Sequence, residues 1–177
     1  LFLLMVIVSS GVQAQESDMD ANNIIFYTAF GPQSLVYTIH SLDYANPSDD
    51  QIWLQTDTSY FAPSPDKTHI LTTQFREGSS LEEGQYDLVM VSQNDVVRIT
   101  ETNHNYGGIW SPVNEDEIAY VSTDGAQYSI IVADLNNLAE RSIILTTDRL
   151  ILPPIRSNNG EMFAFFTCPP DFIDFRC

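Results

Sequence analysis

The apolar residues of this chain fall in short blocks rather than at helical spacing. Residues 24–29 read IIFYTA, 35–40 LVYTIH, 51–55 QIWLQ and 69–75 HILTTQF. Further along come 86–92 YDLVMVS, 96–100 VVRIT, 117–122 EIAYVS, 128–134 YSIIVAD, 142–146 SIILT and 162–167 MFAFFT. β-Branched and aromatic residues dominate these blocks, and their lengths are those of strands. Turn formers separate them: 46–50 NPSDD, 92–95 SQND, 123–125 TDG and 157–160 SNNG. The one helix candidate, residues 135–141, is short and sits between two strand blocks, so it reads as their connector. The pattern predicts an all-β chain.

The blocks also repeat. Ser64, Ser111 and Ser157 each open a turn, at intervals of about 46 residues. Each turn leads into a strand block: HILTTQF, EIAYVS and MFAFFT. The first two of these lead on to YDLVMVS and YSIIVAD, and those to VVRIT and SIILT. The N-terminal blocks IIFYTA, LVYTIH and QIWLQ fit the same template without its opening turn. Four short strands at a period in the forties are the signature of a propeller blade. One such sheet has two apolar faces and can bury both only against neighbours. Pro65 and Pro112 preset the backbone for the turns, and the preceding Ser can bond back to it.

The segments FAPSPDKTHILTT…YDLVMVSQNDVVRITE and GGIWSPVNEDEIAYVS…YSIIVADLNNLAERSIILTTD carry a resemblance. They look like the TolB-type, WD40-like (PD40) β-propeller repeat, which runs aromatic-Ser-Pro-Asp-Gly, apolar strand, apolar strand ending near Asp, strand closing on Leu-Thr. The resemblance covers residues 24 to about 167, in two good copies and two partial ones. Lys67 stands where the family usually has Gly, the second copy has one extra residue at 113–115, and the third turn keeps Gly160 but lacks Pro. It implies a partial propeller of the six-bladed type, about three to four four-stranded antiparallel blades, near residues 24–57, 58–101, 107–148 and 151–177.

Residues 1–8 are an unbroken apolar run, followed by small residues and Val12-Gln13-Ala14. The run is too short to span a bilayer and reads as the core of a signal peptide ending at residue 14, with no basic segment before it. Residues 15–23 then form an acidic linker. Export to the periplasm or outside the cell is the expectation, with no membrane insertion after cleavage. In an oxidising compartment Cys168 and Cys177 can close a local disulfide, remain free thiols, or pair elsewhere.

Composition narrows the partners. Twenty-four acidic residues stand against 7 Lys and Arg, a formal net charge of −17. Such a surface repels nucleic-acid backbones and anionic lipid, so neither is expected as a partner. No Gly-x-Ser-x-Gly elbow and no Gly-rich phosphate loop occur, so no catalytic residue is placed and no cofactor is expected. His40, His69 and His104 share no ligand spacing, and no metal is expected. Residues 18–23 begin like a calcium loop but lack its Gly, and Ala29 stands where the closing Glu belongs. Glu115-Asp116-Glu117 reads as a solvated turn.

Topology supplies a candidate surface. With strands A to D running outward in each blade, the B–C loops and inter-blade connections share one end, and the A–B and C–D turns share the other. The longest B–C loop spans 76–85, and the connection at 101–106 falls at the same end. Loops on a rigid scaffold are where such proteins bind. Glu82, Glu83, Asn103, His104, Asn105 and Tyr106 are the expected contact set for an unknown protein or small ligand. The chain is expected to be an exported, non-enzymatic binding module. The alternative expectation is the N-terminal propeller of an exported serine peptidase of the prolyl-oligopeptidase type, with its catalytic domain beyond Cys177.

Overall fold

The computed structural model describes residues 24–30, 36–43, 48, 50–76, 85–102 and 104–169. The signal segment, the acidic linker and most of the B–C loop lie outside them, as do Glu82, Glu83, Asn103 and Cys177. Every regular element among the described residues is a β-strand. The chain divides into two compact units, Leu1–Ser59 and Tyr60–Cys177.

The first unit is an antiparallel meander of β1 (Ile24–Phe30), β2 (Tyr37–Asp43) and β3 (Asp50–Thr56). Its alternation sorts the side chains onto two faces. Phe26 lies opposite Ser41, and Ile39, two residues from Ser41, is fully buried on the same face. Trp53 joins them, its Nε1–H donating to Ser41 Oγ at 2.7 Å and its ring meeting Phe26 edge-on. The other face carries Tyr27 stacked on its cross-strand partner His40, with centroids 4.9 Å apart. Asp50 accepts from the Tyr27 hydroxyl at 3.0 Å and sits 3.1 Å from His40 Nδ1. His40 therefore has the structural role expected of a strand histidine.

The second unit holds two complete four-stranded antiparallel sheets. The first runs β4 (Phe61–Pro63), β5 (Ile70–Phe75), β6 (Tyr86–Val91) and β7 (Val96–Arg98), in sequence order across the sheet. The second runs β8 (His104–Trp110), β9 (Glu117–Thr123), β10 (Tyr128–Asp134) and β11 (Asn137–Thr147), again in order. After them β12 (Leu150–Ile151) pairs with β15 (Thr167–Cys168), and β13 (Ile155–Arg156) with β14 (Phe163–Ala164). These are successive stretches of one interrupted hairpin, bridged by Leu152 N–H to Phe166 O.

Boundaries differ from expectation at four places. The third sheet begins at His104 rather than at residue 107, because His104, Asn105 and Tyr106 pair with Thr123, Ser122 and Val121. The strand expected over 96–100 ends at Arg98. Beyond it the Ile99 N–H donates to Leu88 O, and the Thr100 hydroxyl accepts from Leu88 N–H. The block MFAFFT breaks into β14 and β15 instead of one strand. Residues 135–141 are the expected strand connector only at Leu135 and Asn136, since β11 starts at Asn137.

The core of this unit lies between sheets as well as within them. Leu71 and Leu88 of the first sheet and Ile118, Tyr120 and Ala133 of the second form one buried cluster. Val121 and Ile130 form another with Ile151 of the following hairpin. Close approach is possible because of the glycine pair in β8. A Cβ on Gly108 would lie 2.5 Å from Leu88 Cδ1, and Gly107 has φ +64 beneath Pro153. The ladder shifts register there, between Tyr106 and Ile109.

The first sheet buries a charged group. Asp87 is wholly buried, yet it sits between two arginines, Arg76 just past β5 and Arg98 at the end of β7. Arg76 grips it in a fork, Nε to Oδ2 at 3.0 Å and Nη2 to Oδ1 at 2.7 Å, and Arg98 Nη1 bonds Oδ2. Arg76 also bonds Gln85 through backbone and side chain, which ties together the two ends of the B–C loop.

Candidate functional site

The turns opened by Ser64 and Ser157 are the same object. In each, the serine N–H donates to the carbonyl five residues on, His69 or Met162. That residue's N–H donates back to the serine Oγ, at 3.0 and 2.9 Å. The hydroxyl itself donates to the side chain two residues on, Asp66 Oδ1 at 2.5 Å and Asn159 Oδ1 at 2.7 Å. The fourth residue closes the turn in the left-handed region, Lys67 at φ 61 and Gly160 at φ 76. A side chain is strained there, so Lys67→Gly is expected to raise stability by about 0.5–1 kcal/mol net of the added unfolded-state freedom. A higher urea midpoint would show it.

The Ser111 turn departs from this plan because of its extra residue. The Ser111 N–H reaches Glu117 O, six positions away, and Val113 occupies the position that accepts the hydroxyl elsewhere. Among the described residues, Ser111 Oγ is buried without a partner. Serine-to-alanine changes should therefore separate. Ser64→Ala is expected to cost about 1–2 kcal/mol, whereas Ser111→Ala should be neutral or slightly stabilising. Denaturant titrations of the two variants side by side check this.

The β4–β5, β8–β9 and β10–β11 turns line an open cavity of about 340 Å³ between the two four-stranded sheets. Ser64, Asp66 and His69 of the β4–β5 turn form one side. Glu115 and Asp116 of the β8–β9 turn and Leu135 and Asn136 of the β10–β11 turn form the other. Met90 and Trp110 complete the wall. The indole is pinned across the sheets, its Nε1–H donating to Ala62 O at 2.8 Å, and His69 lies tilted beside it with centroids 6.5 Å apart. Leu135 N–H donates to Asp116 O at 2.7 Å, which holds the two turns of the second sheet together.

Asp66 is the best-anchored charge of this end. Hydrogen bonds from the Ser64 hydroxyl and from the Thr68 hydroxyl and N–H hold its carboxyl down at about 2. The turn thus gains from the ionised carboxylate fully above 3.8, and that gain is lost as pH falls through about 2. The Thr68 hydroxyl gives its proton to Asp66, so it accepts from His69 Nδ1–H at 2.8 Å. Ser64, Asp66 and His69 have the residue types of a nucleophilic triad but not its wiring. The serine hydroxyl faces Asp66 and the His69 backbone, and the imidazole faces Thr68.

The loop end fares differently. Glu82, Glu83 and Asn103 lie outside the described residues. His104, Asn105 and Tyr106 belong to β8, not to a free loop. His104 meets Tyr86 of the neighbouring sheet edge-on at 6.2 Å. Asn105 is buried, its Nδ2 donating to Thr102 O. Tyr106 donates to Ile151 O at 2.7 Å, and burial pushes its hydroxyl pKa far up. His104 and Tyr106 thus contact neighbouring elements, and Asn105 bonds within its own segment. In the sequence Ser64 opens a turn, His69 begins a strand block and Glu115-Asp116 reads as a solvated turn, with nothing local to join them to Trp110. The signal that could have joined them was the repeat itself, which brings equivalent turns of adjacent blades side by side. Cys168 is buried and disulfide-bonded.

Four-stranded antiparallel sheets, meandering in order and packed face to face, are the blades of a β-propeller. No protein-family model and no curated protein matches the chain. Solved structures do. A TolB-type protein from Agrobacterium tumefaciens is 18% identical with a TM-score of 0.56, over 84% of this chain and 56% of that one. TolB from Acinetobacter baumannii is 18% identical with a TM-score of 0.40, over 79% and 47%. A dipeptidyl aminopeptidase IV-like protein from Bacteroides ovatus is 11% identical with a TM-score of 0.45, over 82% and 26%. The chain is a partial β-propeller of the TolB-like fold, and it spans about half the length of the TolB-type structures it matches.

Proposed function

We propose that this chain is an exported, non-enzymatic propeller module that binds a protein or small ligand through the turn end of its blades. The observation that carries the reading is the cavity between two blades at that end, with Trp110 in its wall. Blade-to-blade clefts on a rigid scaffold are ordinary binding places, and its volume lies at the lower end of the usual ligand-site range of about 300–1,000 Å³. The hydrogen bonds that occupy Ser64 and turn His69 toward Thr68 support a binding rather than a hydrolytic role for this end. Export is supported by the apolar run at residues 1–8 and by the disulfide at Cys168.

Selection of random peptides against the immobilised 177-residue chain tests this. Enriched peptides should compete with one another, lose binding to Asn136→Trp at the cavity rim, and come back intact by mass spectrometry. Peptides that bind the variant equally well would move the site elsewhere. Peptides recovered cleaved would replace the binding module with a peptidase.

A further inference from the structure

The cavity at the turn end has a chemistry as well as a shape. We propose that it takes a single cationic side chain with an alkyl stem, an arginine or lysine presented by a partner peptide; this rests on the binding reading above. The inner wall is aromatic and apolar, formed by Trp110, Met90 and Leu135. Asp66 from one blade and Glu115 and Asp116 from the other also line it, so acidic residues are contributed from both sides. A guanidinium or ammonium satisfies both features at once. Its stem packs on the apolar wall, its charge lies near the indole face, and its N–H groups donate to rim carboxylates.

Charge complementarity selects this occupant over others. The chain carries 24 acidic residues against 7 basic ones, and no Lys or Arg lines the cavity. An anionic ligand would meet three acidic residues and no Lys or Arg in the lining. A purely apolar ligand would have to desolvate them for no return. The space suits one side chain rather than a folded segment. The blade geometry adds a pre-set element: Trp110 is held in place by Ala62 O before any ligand arrives, so little ordering is left to binding.

The experiment titrates the full chain with N-acetyl-arginine amide and N-acetyl-lysine amide, against N-acetyl-citrulline amide and N-acetyl-norleucine amide. Binding is read by tryptophan fluorescence, and by ligand-observed NMR as a second readout that does not depend on Trp53. Two charge-matched variants accompany the wild type. Glu115→Gln/Asp116→Asn removes rim charge at exposed positions, and Glu140→Gln/Asp148→Asn removes the same charge at exposed positions outside the cavity lining. The arginine and lysine amides should bind at physiological salt and the neutral amides at least tenfold more weakly. The rim variant should lose tenfold or more, with its melting temperature kept, and the distal variant should match wild type. Equal losses in both variants would mean that overall charge alone attracts cations, and would overturn the proposal. Citrulline or norleucine amide binding as well as arginine would overturn the cation class yet leave the binding reading standing, provided Asn136→Trp still abolishes it. No binding of any amide, together with no peptide lost on Asn136→Trp, would remove both.

Discussion

Trp110→Ala is expected to lower stability by about 3 kcal/mol. The ring packs against the buried inter-sheet cluster of Leu71, Leu88, Ile118 and Tyr120. Its N–H also bonds Ala62 O of the preceding blade. Truncation leaves a void, widens the turn-end cavity and orphans a carbonyl. The value sits at the low end for tryptophan because the ring is only partly buried. Trp110→Phe separates the contributions: it keeps most of the apolar contact, loses the hydrogen bond, and should cost about 1 kcal/mol. Chemical unfolding followed by circular dichroism gives both numbers. An unchanged midpoint for Trp110→Ala would mean that the indole does not join the blades.

The other large effect is expected from the carboxylate locked inside the first complete blade. Asp87 has no exposed surface, whereas the side chains of Arg76 and Arg98 are 27% and 36% exposed. The consequences of breaking this triad are therefore asymmetric. In Arg76→Leu/Arg98→Leu a buried carboxylate is left without counter-charge, and about 3–5 kcal/mol should be lost. In Asp87→Ala the two guanidiniums can turn to water, which discounts the loss to about 2 kcal/mol. Unfolding free energies in that order would establish that desolvation of the carboxylate, not the ion pairs as such, sets the cost. The reverse order would refute it.

Much of the fold is legible in the residues. The strand block at 128–134 coincides with β10, and the blocks at 86–92 and 117–122 differ from β6 and β9 by one residue at their ends. Their side-chain alternation and the turn formers beside them are local properties, so local reading suffices. The serine-led turns were legible for the same reason, since Ser64 and Ser157 bond only within six residues of themselves. Errors arise where pairing is decided by a distant partner. Residues 104–106 look like polar linker, but Thr123, Ser122 and Val121 offer them a strand edge. His104, Asn105 and Tyr106 carry polar atoms that loops often present to ligands, yet here they face Tyr86, Thr102 and Ile151.

By itself the sequence determined that the chain is built of short antiparallel strands recurring in blade-sized units. That follows because alternation, proline-preset turns and serine back-bonding act within a few residues. It also determined a strongly acidic molecule, whatever its shape. Only the tertiary structure decided what those units do to one another. It set Gly108 against Leu88, buried Asp87 between two arginines, and left Ser111 without a hydroxyl partner. It also drew His69, Trp110 and Asp116 around one cavity. The physical reason is that packing between sheets joins residues dozens of positions apart, and no local preference encodes which side chains meet there.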